Sequence, residues 1–190
     1  MTIRTELRRA ALPALLLLCA CSSDSWTEAV ASRLTANQTA QLQRAEAARD
    51  ELASELTGAL RSALGEGGAA GAIDVCRRQA VEIAGAVGER HGLRIGRTSS
   101  KLRNPANRAP DWARAHVEGD NGEQLLMAGP DARLGALFPI RLMPQCVQCH
   151  GPRDVWPDDV RSALAEHYPR DRATDFAPGD LRGWFWVEVP

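Results

Sequence analysis

Gly183-Trp184-Phe185-Trp186-Val187-Glu188-Val189 reads as a β-strand. It is a run of aromatic and β-branched residues carrying a single charge. The first half of the chain reads differently. From Trp26 to Leu64 there is no Pro and one Gly, Gly58, and Val30, Leu34, Leu42, Ala45, Leu52, Leu56, Leu60 and Leu64 recur at helical spacings among Gln, Glu and Arg. This predicts one long or two shorter amphipathic helices, broken by Gly65-Glu66-Gly67-Gly68. A further helix runs from about Ala70 to Arg90, with Ile73, Cys76, Ala80, Ile83, Ala84 and Val87 on one face, and Gly92 ends it.

Between these helices and the final strand the texture is mixed. Leu93 to Ser99 and Ala136 to Leu142 are strand candidates, while Asp111 to Val117 and Asp158 to His167 are short helices. Helices first and short strands later predict an α+β fold: long N-terminal helices preceding a small antiparallel β-sheet.

The chain has 190 residues, 44% hydrophobic and 25% charged, which excludes disordered, collagen-like and multi-span membrane classes. That length accommodates one domain with a real core plus extensions. The formal net charge of −1 provides no global basic field, so no nucleic-acid partner is expected. Lys101 is the only lysine; the arginine excess reads as coding bias.

The start of the chain has the form of a bacterial export signal. Arg4, Arg8 and Arg9 precede a short apolar run, Ala10 to Leu18, too short to span a bilayer. It ends in Leu18-Cys19-Ala20-Cys21-Ser22, which resembles a lipoprotein signal with Cys21 as the lipidated residue. By the same resemblance Ser22 favours delivery to the outer membrane. The expected organisation is residues 1–20 as signal peptide, 21–34 as lipid-anchored linker and helix start, and 35–190 as the folded domain on the periplasmic side.

Cys146-Val147-Gln148-Cys149-His150 is a C-x-x-C-H run, the attachment sequence for a c-type haem. Two thiols on one turn reach the two vinyl groups of one porphyrin, and the following histidine becomes an axial ligand to iron. Half a zinc site, a thioredoxin-like pair and a disulfide compete with this reading. No second metal-binding pair stands at zinc-finger spacing, no βαβ context surrounds the motif, and export favours haem attachment. One motif implies one covalent haem c.

The five cysteines then sort themselves. Cys19 leaves with the signal, Cys21 takes lipid, and Cys146 and Cys149 take haem. Cys76 remains, and an unassigned thiol in an oxidising compartment is a liability unless something occupies it. The residues leave the second axial position open among Cys76, His91, His116, His167, Met127, Met143 or nothing. Met143 stands only three residues before Cys146, and Met127 falls in a loop candidate.

Further segments carry a family resemblance. They are Asp74-Val75-Cys76-Arg77, the stretch Arg97-Thr98-Ser99-Ser100-Lys101-Leu102-Arg103-Asn104-Pro105-Ala106-Asn107, Pro139-Ile140, Cys146 to Gly151, and Gly179-Asp180-Leu181-Arg182-Gly183. Over about Thr35 to Val189 the chain resembles a bacterial family of single-haem c-type proteins with a PAS-like fold. The resemblance implies His150 and Cys76 as the axial pair. One departure is Arg108-Ala109-Pro110, a longer path to Pro than the family pattern. Arg97, Lys101, Arg103 and Arg108 read either as a solvated face or as partners of the haem propionates. Asn104 and Asn107, bracketing Pro105, read as turn formers.

Three functions follow as expectations. The first is an exported haem c protein in electron transfer, or in redox or ligand sensing, with an unidentified redox partner. The second is a diatomic-gas sensor working through a separate partner protein, since no output domain follows Pro190. The third is a haem enzyme such as a peroxidase, the least favoured, because His/Cys ligation closes the iron. No catalytic residue is therefore expected.

Overall fold

The first helix starts only at Ala36, later than the apolar periodicity suggests. The computed structural model describes residues 25–119 and 122–190, so the expected signal segment and Cys21 lie outside the described residues. Thr27–Glu28 form a short strand, β1, paired with a strand far along the chain. The sheet therefore reaches ahead of Thr35, where the sequence places the domain boundary. Thr35 accepts a hydrogen bond from the Gln38 backbone while the Gln38 side chain accepts from the Thr35 N–H, a capping box that fixes the helix start.

Helix α1 (Ala36–His91) is two arms joined at Gly68, whose φ of 64° is the left-handed region that glycine enters freely. The expected break is confined to this residue; Gly65 to Gly67 stay helical. Arg90 Nε donates to Glu51 Oε1 at 2.6 Å across 39 residues. On a straight helix those residues would lie about 58 Å apart, so the arms fold back as a hairpin. His91 Nε2 lies 2.6 Å from Glu51 Oε2, and Arg44 Nη2 donates to the His91 carbonyl at 2.9 Å. Gly92 closes the second arm in the left-handed conformation, as its position predicts.

The remaining elements are β2 (Arg94–Thr98), α2 (Asp111–Gly119), β3 (Leu125–Ala128), β4 (Leu134–Arg141), α3 (Val147–His150), α4 (Asp158–His167) and β5 (Leu181–Val189). The strands make one antiparallel sheet in the order β1-β3-β4-β5-β2. The α+β architecture with long N-terminal helices is as expected. β3 is an addition: Leu125-Leu126-Met127-Ala128 carries no β-branched or aromatic residue, and pairing to β4 makes it a strand. Met127 is thus a buried strand residue, not a loop residue.

Alternation along the strands separates two cores. Ile95, Leu126, Ala136, Phe138, Val187 and Val189 face α1, packing on Ala45, Ala48, Leu52 and Val87. Leu125, Met127, Leu137 and Trp184 face α2, with Trp26 stacked on Trp112 at 5.1 Å. Each fully buried large apolar side chain contributes roughly 1.5–3 kcal/mol. The helix hairpin and the sheet are thereby fixed against each other, and the space left at one end of their interface holds the site.

Candidate functional site

The C-x-x-C-H run forms a single turn of helix. A 3-10 turn, Pro144–Cys146, leads directly into α3, and positions 146, 149 and 150 fall on one side of that turn. The turn is tight because Gly151 follows: a Cβ there would stand 2.6 Å from Val147 Cγ1 and 2.8 Å from the Val147 carbonyl. Cys146 and Cys149 are half-buried.

All three residues line a cavity of about 390 Å³, within the size range of small-molecule and cofactor sites. Leu56 and Leu60 of the first α1 arm, Ile73 and Ala80 of the second, and Ile140 and Phe185 of the sheet give it apolar walls. Its charged lining residues are all arginines, Arg77, Arg97, Arg103, Arg141 and Arg182.

His150 is the best-positioned side chain of the site. Its Nδ1 lies 2.9 Å from the Ala173 carbonyl, which can only accept, so Nδ1 carries the proton and Nε2 keeps its lone pair. Arg182 Nε also approaches Nδ1, at 3.3 Å. The shorter bond to a pure acceptor decides the tautomer, leaving the arginine as a neighbouring cation. Burial, then the charges of Arg103 and Arg182, hold the imidazole well below its ordinary pKa. A neutral imidazole with one free nitrogen is a metal ligand in its ligating state.

A buried truss holds this arrangement. Arg103 Nε donates to Asp171 Oδ2 at 3.0 Å, and its Nη2 donates to the carbonyls of Cys149 and, at 3.2 Å, Ala173. Asp171 Oδ1 accepts from the Ala173 N–H at 2.8 Å. Asp171 therefore sets Arg103, and both set the carbonyl that orients His150. The backbone N–H of Phe176 closes the loop by donating to the His150 carbonyl at 3.0 Å.

The open candidates for a second ligand separate clearly. His91 is bonded to Glu51 at the end of α1, and His116 and Met127 belong to α2 and β3 on the other side of the sheet. His167 ends α4 and does not line the cavity. Met143 does line it, but from the same chain segment as Cys146, and its sulfur accepts from Gln145 at 3.4 Å. Cys76 lies on the second arm of α1; positions 72, 73, 77 and 80 around it all contribute to the cavity wall.

The arginine-rich stretch divides as well. Arg97 and Arg103 line the cavity, whereas Lys101 stands 5.0 Å over the Phe176 ring and Arg108 lies outside the lining. Asn104 Oδ1 accepts from the Ala106 N–H at 3.0 Å, the turn its sequence predicts. Asp171, Ala173 and Phe176 had no distinguishing sequence signal. Arg182 stood within a recognisable motif, but its role depends on where β5 bends.

The Tll0287-like family model, described as Tll0287, matches residues 27–190. Among solved structures, the crystal structure of the cyanobacterial heme-protein Tll0287 shares the fold with a TM-score of 0.58 at 24% identity. The match covers 83% of this chain and 97% of that one. No curated protein matches the chain.

Proposed function

The chain belongs to the Tll0287-like family, and from that premise we propose that it is an exported electron-transfer or redox-sensing protein carrying one covalent haem c. The observation that carries this reading is the placement of Cys146, Cys149 and His150 along one cavity, to which positions 72, 73, 77 and 80 of the helix that carries Cys76 also contribute. The residues fit the group: apolar walls suit a porphyrin face, arginines suit its carboxylates, and a neutral His150 with a free Nε2 suits its iron. Cys146 and Cys149 would hold the macrocycle by thioethers, and His150 and the Cys76 thiolate would bind its iron. When bound, the haem supplies a one-electron iron couple.

The chain's own part is to hold the cofactor and exclude water. The Arg103–Asp171 truss fixes the His150 ring, and the α1 hairpin covers the opposite face of the cavity. With His150 and Cys76 both holding the iron, no position would be left for substrate, which favours electron exchange over catalysis. The signal-like leader and Cys21 support a lipid anchor on the periplasmic side of the envelope, at the outer membrane.

The test is to express the full chain with a c-type maturation system, then extract with acidic acetone and weigh the protein. Haem retained with the mass of a single adduct supports the reading. Haem that extracts freely, or a mass without haem, overturns it. Cys21→Ser should release the protein from membranes while the haem adduct remains.

A further inference from the structure

Arg182 reaches the cavity through an irregularity in the sheet. Along β5, Gly183 pairs with Ile140 and Leu181 with Arg141, so Arg182 has no partner and is the extra residue of a β-bulge. In a regular strand it would follow Trp184 and Trp186 to the α2 side. The bulge turns it to the cavity instead. Ser99 Oγ holds the bulge by donating to the Arg182 carbonyl at 2.8 Å. Gly183 permits it, because a Cβ there would stand 2.3 Å from the Thr98 carbonyl.

The guanidinium so placed is short of an anion. Its hydrogen bonding is weak: the Lys101 carbonyl accepts at 3.4 Å, the protonated Nδ1 of His150 at 3.3 Å cannot accept, and the Phe176 ring lies 5.5 Å away. Asp171, the carboxylate whose field acts on it, is already engaged by Arg103. Two arginines therefore share one carboxylate, and Arg97 adds further positive field. A partly buried cation in that state calls for a negative partner.

We propose that Arg182 receives a carboxylate of the cofactor, a haem propionate, and that its charge beside His150 raises the reduction potential of the iron. This rests on the haem reading above. A positive charge next to the iron's histidine opposes the more positive ferric state and so favours the ferrous one. Arg103 is less suited to this role, because its Nε and Nη2 are committed to Asp171 and to the carbonyls of Cys149 and Ala173.

The test is a spectroelectrochemical redox titration of the mature holoprotein and of Arg182→Gln. The potential is expected to fall, and to vary more with pH, because the carboxylate released from Arg182 takes up a proton over an accessible range. Arg182→Lys keeps the charge without the fork; it should preserve most of the potential while shifting the propionate bending band in resonance Raman. An unchanged potential in a fully haem-loaded Arg182→Gln overturns the proposal and leaves the haem reading intact. If Arg182→Gln does not mature, an unchanged propionate band in Arg182→Lys overturns it equally. Absence of covalent haem from the wild-type protein instead removes the reading on which the proposal rests.

Discussion

Arg103 and Asp171 form an ion pair at 3.0 Å between side chains only 13% and 5% exposed. The pair joins three segments that are distant in sequence: the polar stretch after β2, the C-x-x-C-H turn and the loop that returns over it. A buried pair of this kind is weak evidence for net stability, yet removing one partner strands the other charge in a poorly solvated place.

Asp171→Ala should therefore destabilise the protein by about 3–5 kcal/mol, read as a lower urea midpoint with an unchanged slope. Asp171→Asn should lose less, since the amide oxygen still accepts from Arg103. Equal midpoints for wild type and Asp171→Ala would show that the truss contributes nothing.

Two glycines of the same run should respond with opposite sign. Gly65 is exposed and helical, so Gly65→Ala should stabilise by roughly 0.5–1 kcal/mol through helix propensity. Gly68 sits at φ 64° and ψ −167° with open space around its Cβ position, so Gly68→Ala meets no clash, only backbone strain of about 1–3 kcal/mol. Thermal melting of the two variants reads both signs directly.

His150 predicts an acid-side loss of stability in protein without haem. Its folded pKa is depressed by burial and the nearby arginines, whereas the unfolded imidazole titrates near 6.5. The unfolded state thus binds the extra proton first as pH falls. The stability contribution is complete above about pH 6.5 and declines below it, by up to about 1.4 kcal/mol per pH unit, until the folded pKa is reached. Denaturant titrations from pH 7.5 downward should show this slope, and His150→Asn should remove it.

Cys76→Ala tests the thiolate ligand. Ferric low-spin signals characteristic of thiolate ligation should vanish from the electron paramagnetic resonance spectrum while the haem stays covalently attached. The potential should also rise, because an anionic sulfur favours ferric iron. A ferric spectrum identical to wild type would falsify Cys76 ligation; Met143 would then be the first alternative to test, because it lines the cavity.

The local elements of the fold were legible because each is specified over short range. Apolar spacing gave the arms of α1, Gly92 their end, and aromatic and β-branched runs gave β2, β4 and β5. The C-x-x-C-H turn was equally legible, since attachment chemistry depends on spacing along one segment. The sequence did not disclose β1 and β3, because Thr27–Glu28 and Leu125–Ala128 become strands only by pairing with each other and with β4. Nor could it single out Arg182 among so many arginines. One unpaired residue at Ile140/Arg141 reverses the face of the strand, and no propensity encodes that. The sequence by itself determined which residues can bond a cofactor; the tertiary structure decided which charges surround it, because burial and orientation arise only when α1, the sheet and the 171–176 loop meet at one cavity.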